Sequence, residues 1–397
     1  MPKIKLSNYI ADFLSFKGIK YVFGIIGSAN AHLFDSIYSH KNLKLICMHH
    51  EQACVMAAHG HYMQSGEMAA VLITAGAGTT NALTGVVGAY ADSVPILIIS
   101  GQESTKQFKN NNITRMIGIQ GVFTESIYAS CTKKVSTCQN IPEVITELEN
   151  CLDTARTGRF GPCILDIPID LQGSKFSPSK NLFENKTSQL LSLNNNDLSK
   201  IDNLISSIEK AKKPLIWIGN GLRGIETNSL RSIIKEINIP YLTSWTATDI
   251  FDPIDELYAG HAGTYGSRVG NLFVQSCDLL LTLGTRLAIP QKGYVDSEFA
   301  REALIFVVEI DENELSKLGS KFKNKINSDA KLVLREVHKR LKTKSLNISY
   351  WLSYLGKLKK EFPILEPCHK KPLQHFINSY LFMHKLGLKA NDKTTFV

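Results

Sequence analysis

The chain has 397 residues, 44% of them hydrophobic and 20% charged, which is long enough for two or three domains with buried cores. Lys and Arg outnumber Asp and Glu by 45 to 36, and a formal net charge of +9 would suit a nucleic acid or an acidic membrane surface. However, almost the whole surplus lies in residues 317–344, where Phe322 is the only aromatic residue. We interpret this segment as a solvated helix face and predict no nucleic-acid partner.

Other classes of protein are excluded by what the sequence lacks. No run of about 18 apolar residues occurs, so we predict no membrane-spanning helix and no membrane partner. Residues 1–5 lack the apolar region of a signal peptide. The eight cysteines include no Cys-x-x-Cys pair, so neither a zinc ribbon nor a disulfide scaffold fits. We predict reduced thiols, a cytoplasmic location and no metal ligands in this chain.

Helices and apolar strands alternate in the first part of the chain, which indicates a parallel sheet covered on both faces. Helices are predicted at residues 7–17, 31–39, 51–64, 78–90 and 144–155. Strands are predicted at 21–24, 43–48, 69–74, 95–100 and 163–167. The polar segment 173–196 is typical of a linker between domains.

A second alternation follows the linker. Helices are predicted at residues 198–210, 225–237, 267–275 and 328–341, and strands at 214–218, 240–244, 278–283 and 304–310. In the tail, 348–360 and 372–386 are predicted as helices, and 392–397 as the beginning of a strand.

Several segments that could carry chemistry lie where a predicted strand ends. Glu51, in His50-Glu51-Gln52, follows a strand at the sheet edge where ligands bind in α/β proteins, although a carboxylate also suits the first turn of any helix. Thr74-Ala75-Gly76-Ala77-Gly78 fits either a ligand contact or a tight buried turn.

The second half contains similar loops. Gly219-Asn220-Gly221-Leu222-Arg223-Gly224 matches G-x-G-x-x-G between a strand and a helix, the context of a phosphate-binding loop, but this pattern also has many false positives. Glu309 and Asp311 end a later strand and would suit ribose hydroxyls or a solvated loop. The polar loop 257–268 either carries function or is a plain connection.

The order of these segments is more specific than any one of them. Phe23-Gly24-Ile25-Ile26-Gly27, His50-Glu51-Gln52-Ala53, Asp92-Ser93-Val94-Pro95 and Asp166-Ile167-Pro168-Ile169-Asp170 follow one another in the first half. This series resembles the pyrimidine-binding domain of thiamine-diphosphate enzymes of the acetolactate synthase type. Residues 219–221, 260–266, 278–286 and 309–315 resemble the central domain of the same family.

The resemblance implies thiamine diphosphate as cofactor and gives roles to individual residues. Glu51 matches the glutamate that holds the cofactor's aminopyrimidine in its imino form, and Gln120 matches a glutamine that reaches the reaction centre. Here Gln120 lies in Ile119-Gln120-Gly121, where the synthases typically have Phe-Gln-Glu. The remaining cofactor-binding positions implied in this half are Gly27, Ser28, Gly76, Thr79 and Asn81.

In acetolactate synthases the central domain binds FAD, so the resemblance implies FAD as a second cofactor. The matching positions near that site are Gly219, Gly221, Gly263, Thr264, Gly284, Arg286 and Asp311. Ala288-Ile289-Pro290 stands where the synthases usually have Asp-Asp-Arg.

The family's third domain holds the diphosphate and Mg²⁺ through a Gly-Asp-Gly run, and no such run occurs in these 397 residues. We therefore predict an α/β protein of two successive doubly wound parallel-sheet domains, with the third α/β domain and its Mg²⁺ ligands missing. The predicted bounds are 1–172 for the pyrimidine-binding domain, 173–196 for the linker, 197–345 for a Rossmann-like central domain, and 346–397 for a helical linker and the start of the truncated domain.

The implied reaction is decarboxylation of a 2-oxo acid with transfer of the aldehyde unit, by a homodimer or homotetramer, and we expect this chain alone to be inactive. One alternative is another thiamine-diphosphate lyase, decarboxylase or pyruvate oxidase-like enzyme. The other is an inactive protein that binds a cofactor or nucleotide.

Overall fold

A computed structural model describes residues 2–110, 114–178, 183, 192–251, 254–371, 375–391 and 394. The chain divides into two compact units, Met1–Leu190 and Leu191–Val397. In the described part of the chain, no helix is both long and apolar enough to span a membrane. All eight cysteines are free thiols, and six of them are buried.

The first unit alternates strands and helices along the chain. Its elements are β1 (Ile4–Lys5), α1 (Leu6–Phe16), β2 (Tyr21–Gly24), α2 (Ala31–Tyr38), β3 (Lys44–Cys47), α3 (Glu51–Ser65), β4 (Ala70–Ile73), α4 (Ala77–Ala91), β5 (Leu97–Gln102), α5 (Thr124–Tyr128), β6 (Lys134–Thr137), α6 (Ile141–Arg156), β7 (Cys163–Pro168), α7 (Ile169–Gly173) and β8 (Lys175–Phe176).

Six of these strands form one parallel sheet in the order β3-β2-β4-β5-β7-β6. The direction of strand succession reverses between β2 and β4, which makes that position a topological switch point, where ligands bind in open α/β sheets. The short strands β1 and β8 pair separately and antiparallel, with Ile4 opposite Phe176.

The core of this unit lies on both faces of the sheet. Leu97 and Ile99 of β5 pack with α1 and α6 on one face, whereas Ile98 points to the other face, with Cys54 of α3 and Val86 of α4. Successive residues of a strand point to opposite faces, so a sheet covered twice requires an unbroken apolar run. The sequence LIIS of β5 meets that requirement.

The second unit also alternates strands and helices. Its elements are α8 (Asn195–Lys210), β9 (Pro214–Ile218), α9 (Thr227–Ile237), β10 (Tyr241–Thr243), β11 (Tyr258–His261), α10 (Arg268–Ser276), β12 (Leu279–Leu283), α11 (Ile289–Lys292), β13 (Leu304–Glu309), α12 (Glu312–Ser316), β14 (Asn324–Asn327), α13 (Ala330–Leu341), α14 (Ser349–Glu361) and α15 (Ser379–Lys389).

The six strands of the second unit form a parallel sheet in the order β11-β10-β9-β12-β13-β14. Counted from β9, this order is 3-2-1-4-5-6, which is that of the Rossmann fold, and its switch point lies between β9 and β12. Trp351 of α14 stacks on Phe273 with ring centroids 3.9 Å apart and donates a hydrogen bond to the Pro214 carbonyl. Helix α14 therefore packs on the core of this unit.

The structure confirms the predicted fold class, two doubly wound parallel sheets in succession. The predicted helices and strands of both sheets occur within a few residues of their expected bounds. Three strands of the two six-stranded sheets were not predicted, namely β6, β11 and β14, and each is an edge strand. The two-residue strands β1 and β8 were not predicted either. The helix predicted at 372–386 is described as α15 from Ser379, while residues 372–374 and most of 392–397 lie outside the described residues.

The segment predicted as a linker, 173–196, contains regular structure at both ends. Strand β8 forms near its start, and α8 begins at Asn195 with a capping box in which the Asn194 and Asp197 side chains each bond the other's backbone.

The basic segment 317–344 forms ion pairs with acidic residues along the surface of the second unit. Arg340 contacts Asp202 and Glu336, and Lys344 contacts Glu209. Part of the surplus positive charge therefore lies on the surface beside acidic residues of the same unit.

Candidate functional site

The candidate site of the first unit lies at the carboxyl ends of β2, β3 and β4, around the switch point. The loop after β2 carries Gly27 and Ser28, α3 begins at Glu51 directly after β3, and the turn after β4 leads into α4. Because the strands are parallel, their carboxyl ends meet at one edge, which brings these three loops together.

Glu51 is the first residue of α3 and is only 8% exposed. Its Oε2 accepts a hydrogen bond from Asn81 Nδ2 at 3.0 Å. Among the described residues, none donates a hydrogen bond to Oε1. The carboxylate is thus oriented through one oxygen, and the other remains available to a donor. Burial and the nearby Glu51 charge raise the pKa of the Cys54 thiol to about 12, so that thiol stays protonated.

Small residues allow the turn after β4 to approach Glu51 and Gln120. A Cβ atom at Gly78 would lie 3.1 Å from Glu51 Oε1. Gly76 has a positive φ of 71°, and a Cβ there would clash with the backbone oxygen of Gln120. The structure therefore brings the predicted site residues Glu51, Gly76, Asn81 and Gln120 close to one another.

The loop after β2 completes this edge. A Cβ atom at Gly27 would lie 2.5 Å from Thr74 Oγ1, a buried hydroxyl oxygen without a hydrogen-bond partner. The amide of Gly27 donates to Asn30 Oδ1 at 2.8 Å, which fixes the loop, while Ser28 is exposed. An unpaired buried hydroxyl between two ligand-side loops fits a site that takes a polar group.

Thr79 supports the turn from below. Its hydroxyl donates to the Thr74 carbonyl at 2.9 Å and shares a hydrogen bond with Ser100, and its own carbonyl accepts from the Tyr128 hydroxyl. Thr79 is fully buried, and these contacts with Thr74, Ser100 and Tyr128 hold the first turn of α4 in place.

One buried carboxyl group near the site, that of Asp166, was not predicted as a site residue from the sequence. Asp166 lies in β7 with no exposed surface, and its Oδ2 accepts hydrogen bonds from Gln102 and Thr124. The signal was present in the sequence, since Asp166 is the only ionisable carboxyl inside the apolar strand CILDIP. A buried carboxyl is retained only where hydrogen bonds compensate it, so it indicates a specific network.

In the second unit the switch point joins the loops after β9 and β12. A Cβ atom at Gly219 would clash with the Gly284 carbonyl, and one at Gly221 would lie 2.7 Å from Gly284 Cα. The amide of Gly221 donates to the Gly284 carbonyl at 3.0 Å. These glycines therefore permit two backbone loops to touch each other.

The pattern G-x-G-x-x-G predicts a phosphate at the N-terminus of the following helix, but here that helix is capped by a carboxylate. Helix α9 begins at Thr227, and the Glu226 side chain accepts hydrogen bonds from the amides of Asn228 at 3.0 Å and Ser229 at 2.7 Å. A negative group already satisfies these donors, so this helix end does not fit a phosphate.

The other predicted residues of this unit lie at the same edge. The Gly263 and Thr264 backbone meets Pro290, with the Thr264 amide donating to the Pro290 carbonyl at 2.8 Å, and Arg286 is exposed. Asp311 caps α12 by accepting from the Asn313 amide at 3.0 Å.

The described residues contain no group of three or more His, Cys, Asp and Glu side chains that could hold a metal ion.

Two family models match the chain at the places where the sheets lie. The thiamine pyrophosphate enzyme N-terminal TPP binding domain matches residues 4–138, which include Glu51 and Gln120, and the thiamine pyrophosphate enzyme central domain matches 201–337. The chain belongs to the thiamine pyrophosphate enzyme family. Thiamine pyrophosphate is another name for thiamine diphosphate.

Curated relatives extend the match over most of the chain. The acetolactate synthase large subunit of Haemophilus influenzae is 28% identical over 323 residues, covering 80% of this chain and 54% of that protein. The acetolactate synthase large subunit of Lactococcus lactis is 28% identical, and the match covers 91% of this chain and 63% of that protein. The large subunit of Corynebacterium glutamicum is 31% identical, and the match covers 86% of this chain and 54% of that protein. The chain thus spans between half and two thirds of the length of these relatives.

Proposed function

We propose that this chain supplies the aminopyrimidine-binding part of an enzyme that decarboxylates a 2-oxo acid and transfers the resulting aldehyde unit, as acetolactate synthases do. The observation that carries the proposal is the Glu51 carboxylate, with one oxygen held by Asn81 and the other without a donor among the described residues. The similarity to acetolactate synthase large subunits supports pyruvate as the default donor.

The residues around Glu51 have separate tasks in this proposal. When bound, thiamine diphosphate would supply a nucleophilic thiazolium carbon for reaction with the 2-oxo acid, once that thiazolium carbon has lost its proton. Glu51 would hold the aminopyrimidine by sharing a proton with a ring nitrogen, and Asn81 orients the carboxylate for that task. Gly27, Gly76 and Gly78 keep side-chain atoms out of the space beside it, and Gln120 faces the substrate.

Several finer points belong to the same proposal. We propose a cytoplasmic homodimer or homotetramer, which is consistent with exposed apolar side chains on α3 and α4, namely Met56, Val87 and Tyr90. Mg²⁺ would accompany the diphosphate, with ligands outside the described residues. The domain bounds 1–172 and 197–345 stay a prediction. FAD also stays a prediction, and the absorbance of the purified protein would test it.

The test replaces Glu51 by glutamine, which keeps the size of the side chain and removes its charge. The 397-residue chain is titrated with thiamine diphosphate and Mg²⁺, and saturation transfer to the pyrimidine protons is measured by NMR. We expect Glu51→Gln to weaken binding about 10- to 100-fold, because a hydrogen bond to a charged group contributes about 1.5–3 kcal/mol. The matched control is Glu67→Gln, whose carboxylate forms an exposed pair with Lys20 and should leave binding unchanged.

Catalysis is tested in a protein extended by the portion of the Lactococcus lactis relative that this chain does not match. Pyruvate turnover in that protein should fall at least about a hundredfold in Glu51→Gln and persist in Glu67→Gln. Equal turnover in Glu51→Gln and the unsubstituted protein would contradict the proposal. Product analysis with a panel of 2-oxo acids separates a carboligase from a decarboxylase or an oxidase. Cofactor binding without turnover of any of these acids would instead favour an inactive binding protein.

A further inference from the structure

A buried hydrogen-bond network lies behind the candidate site, and Asp166 is at its centre. Asp166 Oδ2 accepts from Gln102 Nε2 at 2.7 Å and from Thr124 Oγ1 at 2.8 Å, while Oδ1 has no hydrogen-bond partner among the residues that the structure describes. Asp166, Gln102 and Thr124 are each no more than 1% exposed. An acidic side chain in such a position costs stability unless its contacts compensate, so the network has a specific structural task.

The Gln102 side chain connects Asp166 to the turn that carries Gln120. Its Nε2 donates a second hydrogen bond to the Val122 carbonyl at 3.0 Å. The turn itself is closed by two backbone hydrogen bonds between Ile117 and Gly121, at 3.0 and 2.8 Å. A Cβ atom at Gly121 would lie 2.5 Å from Gln102 Oε1, so the turn rests directly on this side chain.

The neighbouring Glu103 holds the same turn from the other side. Its Oε1 accepts from the Gln120 amide at 3.2 Å, and its own amide donates to Gln102 Oε1 at 3.0 Å. The position of Gln120 against Gly76 therefore depends on where the Gln102 amide group points. Asp166 Oδ2 and the Val122 carbonyl are the two acceptors that fix that amide group.

We propose that Asp166 is a positioning residue, which acts through the Gln102 side chain to hold the turn 117–122 and so sets where Gln120 lies at the site. The role of Gln120 in catalysis rests on the proposed function, but the coupling between Asp166 and the turn does not. Among the described residues, Asp166 forms no hydrogen bond with Gln120 or Glu51, and its effect passes through Gln102.

A second branch of the network reaches the glycine-rich turn. Thr124 begins α5, and Tyr128 at the end of the same helix donates a hydrogen bond to the Thr79 carbonyl in the first turn of α4. Asn81, the partner of Glu51, lies two residues further along α4. This branch offers an internal comparison, since removing the Thr124 hydroxyl leaves the contact between Asp166 and Gln102 in place.

The charge of Asp166 changes in the neutral range. Burial raises the pKa of Asp166 to about 7. The hydrogen bonds from Gln102 and Thr124 and the nearby Ser100 hydroxyl lower it, whereas Glu125 of α5 raises it further. Tyr128 on α5 and Cys138 after β6 also face it, and the pKa of each is raised, chiefly by burial and in part by Asp166. Ser100 and Gln102, on β5, carry no charge.

The test measures hydrogen–deuterium exchange of peptides that cover residues 117–122, in the full chain and without cofactor. Asp166→Leu removes both acceptor oxygens at similar volume. We expect hydrogen exchange in 117–122 to accelerate about tenfold or more, because losing one or two hydrogen bonds to a buried acceptor costs a net free energy of about 1.4 kcal/mol or more. Exchange in peptides from α1 and β2 should remain unchanged. Thr124→Val should leave 117–122 unaffected.

The matched control is Asp197→Asn, which changes a buried carboxyl of the second unit and should not alter exchange in 117–122. Uniform acceleration across the first unit in Asp166→Leu, or none in 117–122, would overturn the proposal. These outcomes are independent of cofactor binding, so they are distinguishable from failure of the proposed function.

If Asp166→Leu does not fold, a second measurement replaces it. The protection of residues 117–122 from hydrogen exchange is followed as a function of pH in Asp166→Asn and in the unsubstituted chain. Ionisation of Asp166 places a buried charge under the turn, which the hydrogen bonds from Gln102 and Thr124 compensate only in part. Protection of 117–122 in the unsubstituted chain should therefore decrease between pH 6 and pH 8, about the pKa of Asp166. Asparagine retains one acceptor oxygen and cannot ionise, so its profile should be flat. Parallel profiles for the two proteins would overturn the proposal.

Discussion

Two carboxylates of the first unit, Glu51 and Asp166, are stabilised in different ways, and the difference explains their different tasks. Within the described part of the chain, Glu51 accepts a side-chain hydrogen bond from Asn81 alone, on one oxygen, and lies at the sheet edge. Asp166 has two donors on one oxygen and is completely enclosed. A carboxylate with an unused oxygen at an edge can bind a ligand, whereas an enclosed one can only organise its neighbours.

Asp166 also makes a prediction about stability and pH. An unfolded Asp has a pKa of about 3.9, so between about pH 4 and pH 7 the folded state retains a proton that the unfolded state has released. The contribution of Asp166 to the free energy of unfolding is therefore at its full value below about pH 4, and it decreases as the pH rises to about 7. Asparagine does not titrate.

We expect the free energy of unfolding of the unsubstituted chain, relative to Asp166→Asn, to decrease by a few kcal/mol, on the order of 2–4, between pH 5 and pH 8. Urea denaturation of both proteins at the two pH values measures this difference and removes the contribution of every other titrating group. A difference that stays constant or increases with pH would show that the folded-state pKa is not raised.

At the scale of elements, the strands that sequence patterns missed are edge strands. Lys134–Thr137 of β6 is only partly buried, and β14, with the sequence NKIN, has one fully buried residue. An edge strand bonds a neighbour on one side only and is open to solvent, so it needs no continuous apolar run. The inner strands β5, β9 and β12 are apolar throughout most of their length, and the sequence predicted each of them.

Glycine-rich loops give a prediction at the same scale. Gly219→Ala should displace the loop after β9 and destabilise the second unit by about 1–3 kcal/mol, because its Cβ would clash with the Gly284 backbone, which cannot rotate away. Gly60→Ala is the matched control, since no atom lies within 4 Å of its Cβ position on α3. That change should be neutral or stabilising by about 1 kcal/mol. Chemical denaturation followed by tryptophan fluorescence measures the effect of Gly219→Ala, because all three tryptophans lie in the second unit. Thermal unfolding followed by circular dichroism measures the effect of Gly60→Ala.

Equal stability of Gly219→Ala and the unsubstituted chain would mean that the two loops do not touch. The glycines of the G-x-G-x-x-G pattern would then be free for a ligand phosphate.

At the scale of the whole molecule, each compact unit has its own apolar core. The core of the second unit surrounds β9, β12 and β13, and no residue of the first unit belongs to it. A defect in one core should therefore be confined to one unit, provided that the units unfold independently.

Leu281→Ala tests this organisation. Leu281 is fully buried in β12, and its truncation should destabilise the second unit by about 2–5 kcal/mol. Hydrogen–deuterium exchange should accelerate in β9 and β13 and remain unchanged in β4 and β5. The reciprocal variant is Ile98→Ala in β5, which should affect only the first unit. Acceleration in both units from either variant would indicate a single cooperative structure.

The sequence by itself determined the class of the fold and the position of Glu51, because apolar runs, helical spacing and strand-end motifs are local properties of the chain. Only the tertiary structure decided the order of the strands, the contact between Asn81 and Glu51, and the path from Asp166 through Gln102 to Gln120. These features join residues that are 30 or more positions apart or separated by whole elements. Tertiary structure also shows that Gly219 and Gly221 lie against Gly284, since only folding shows which backbone a glycine faces.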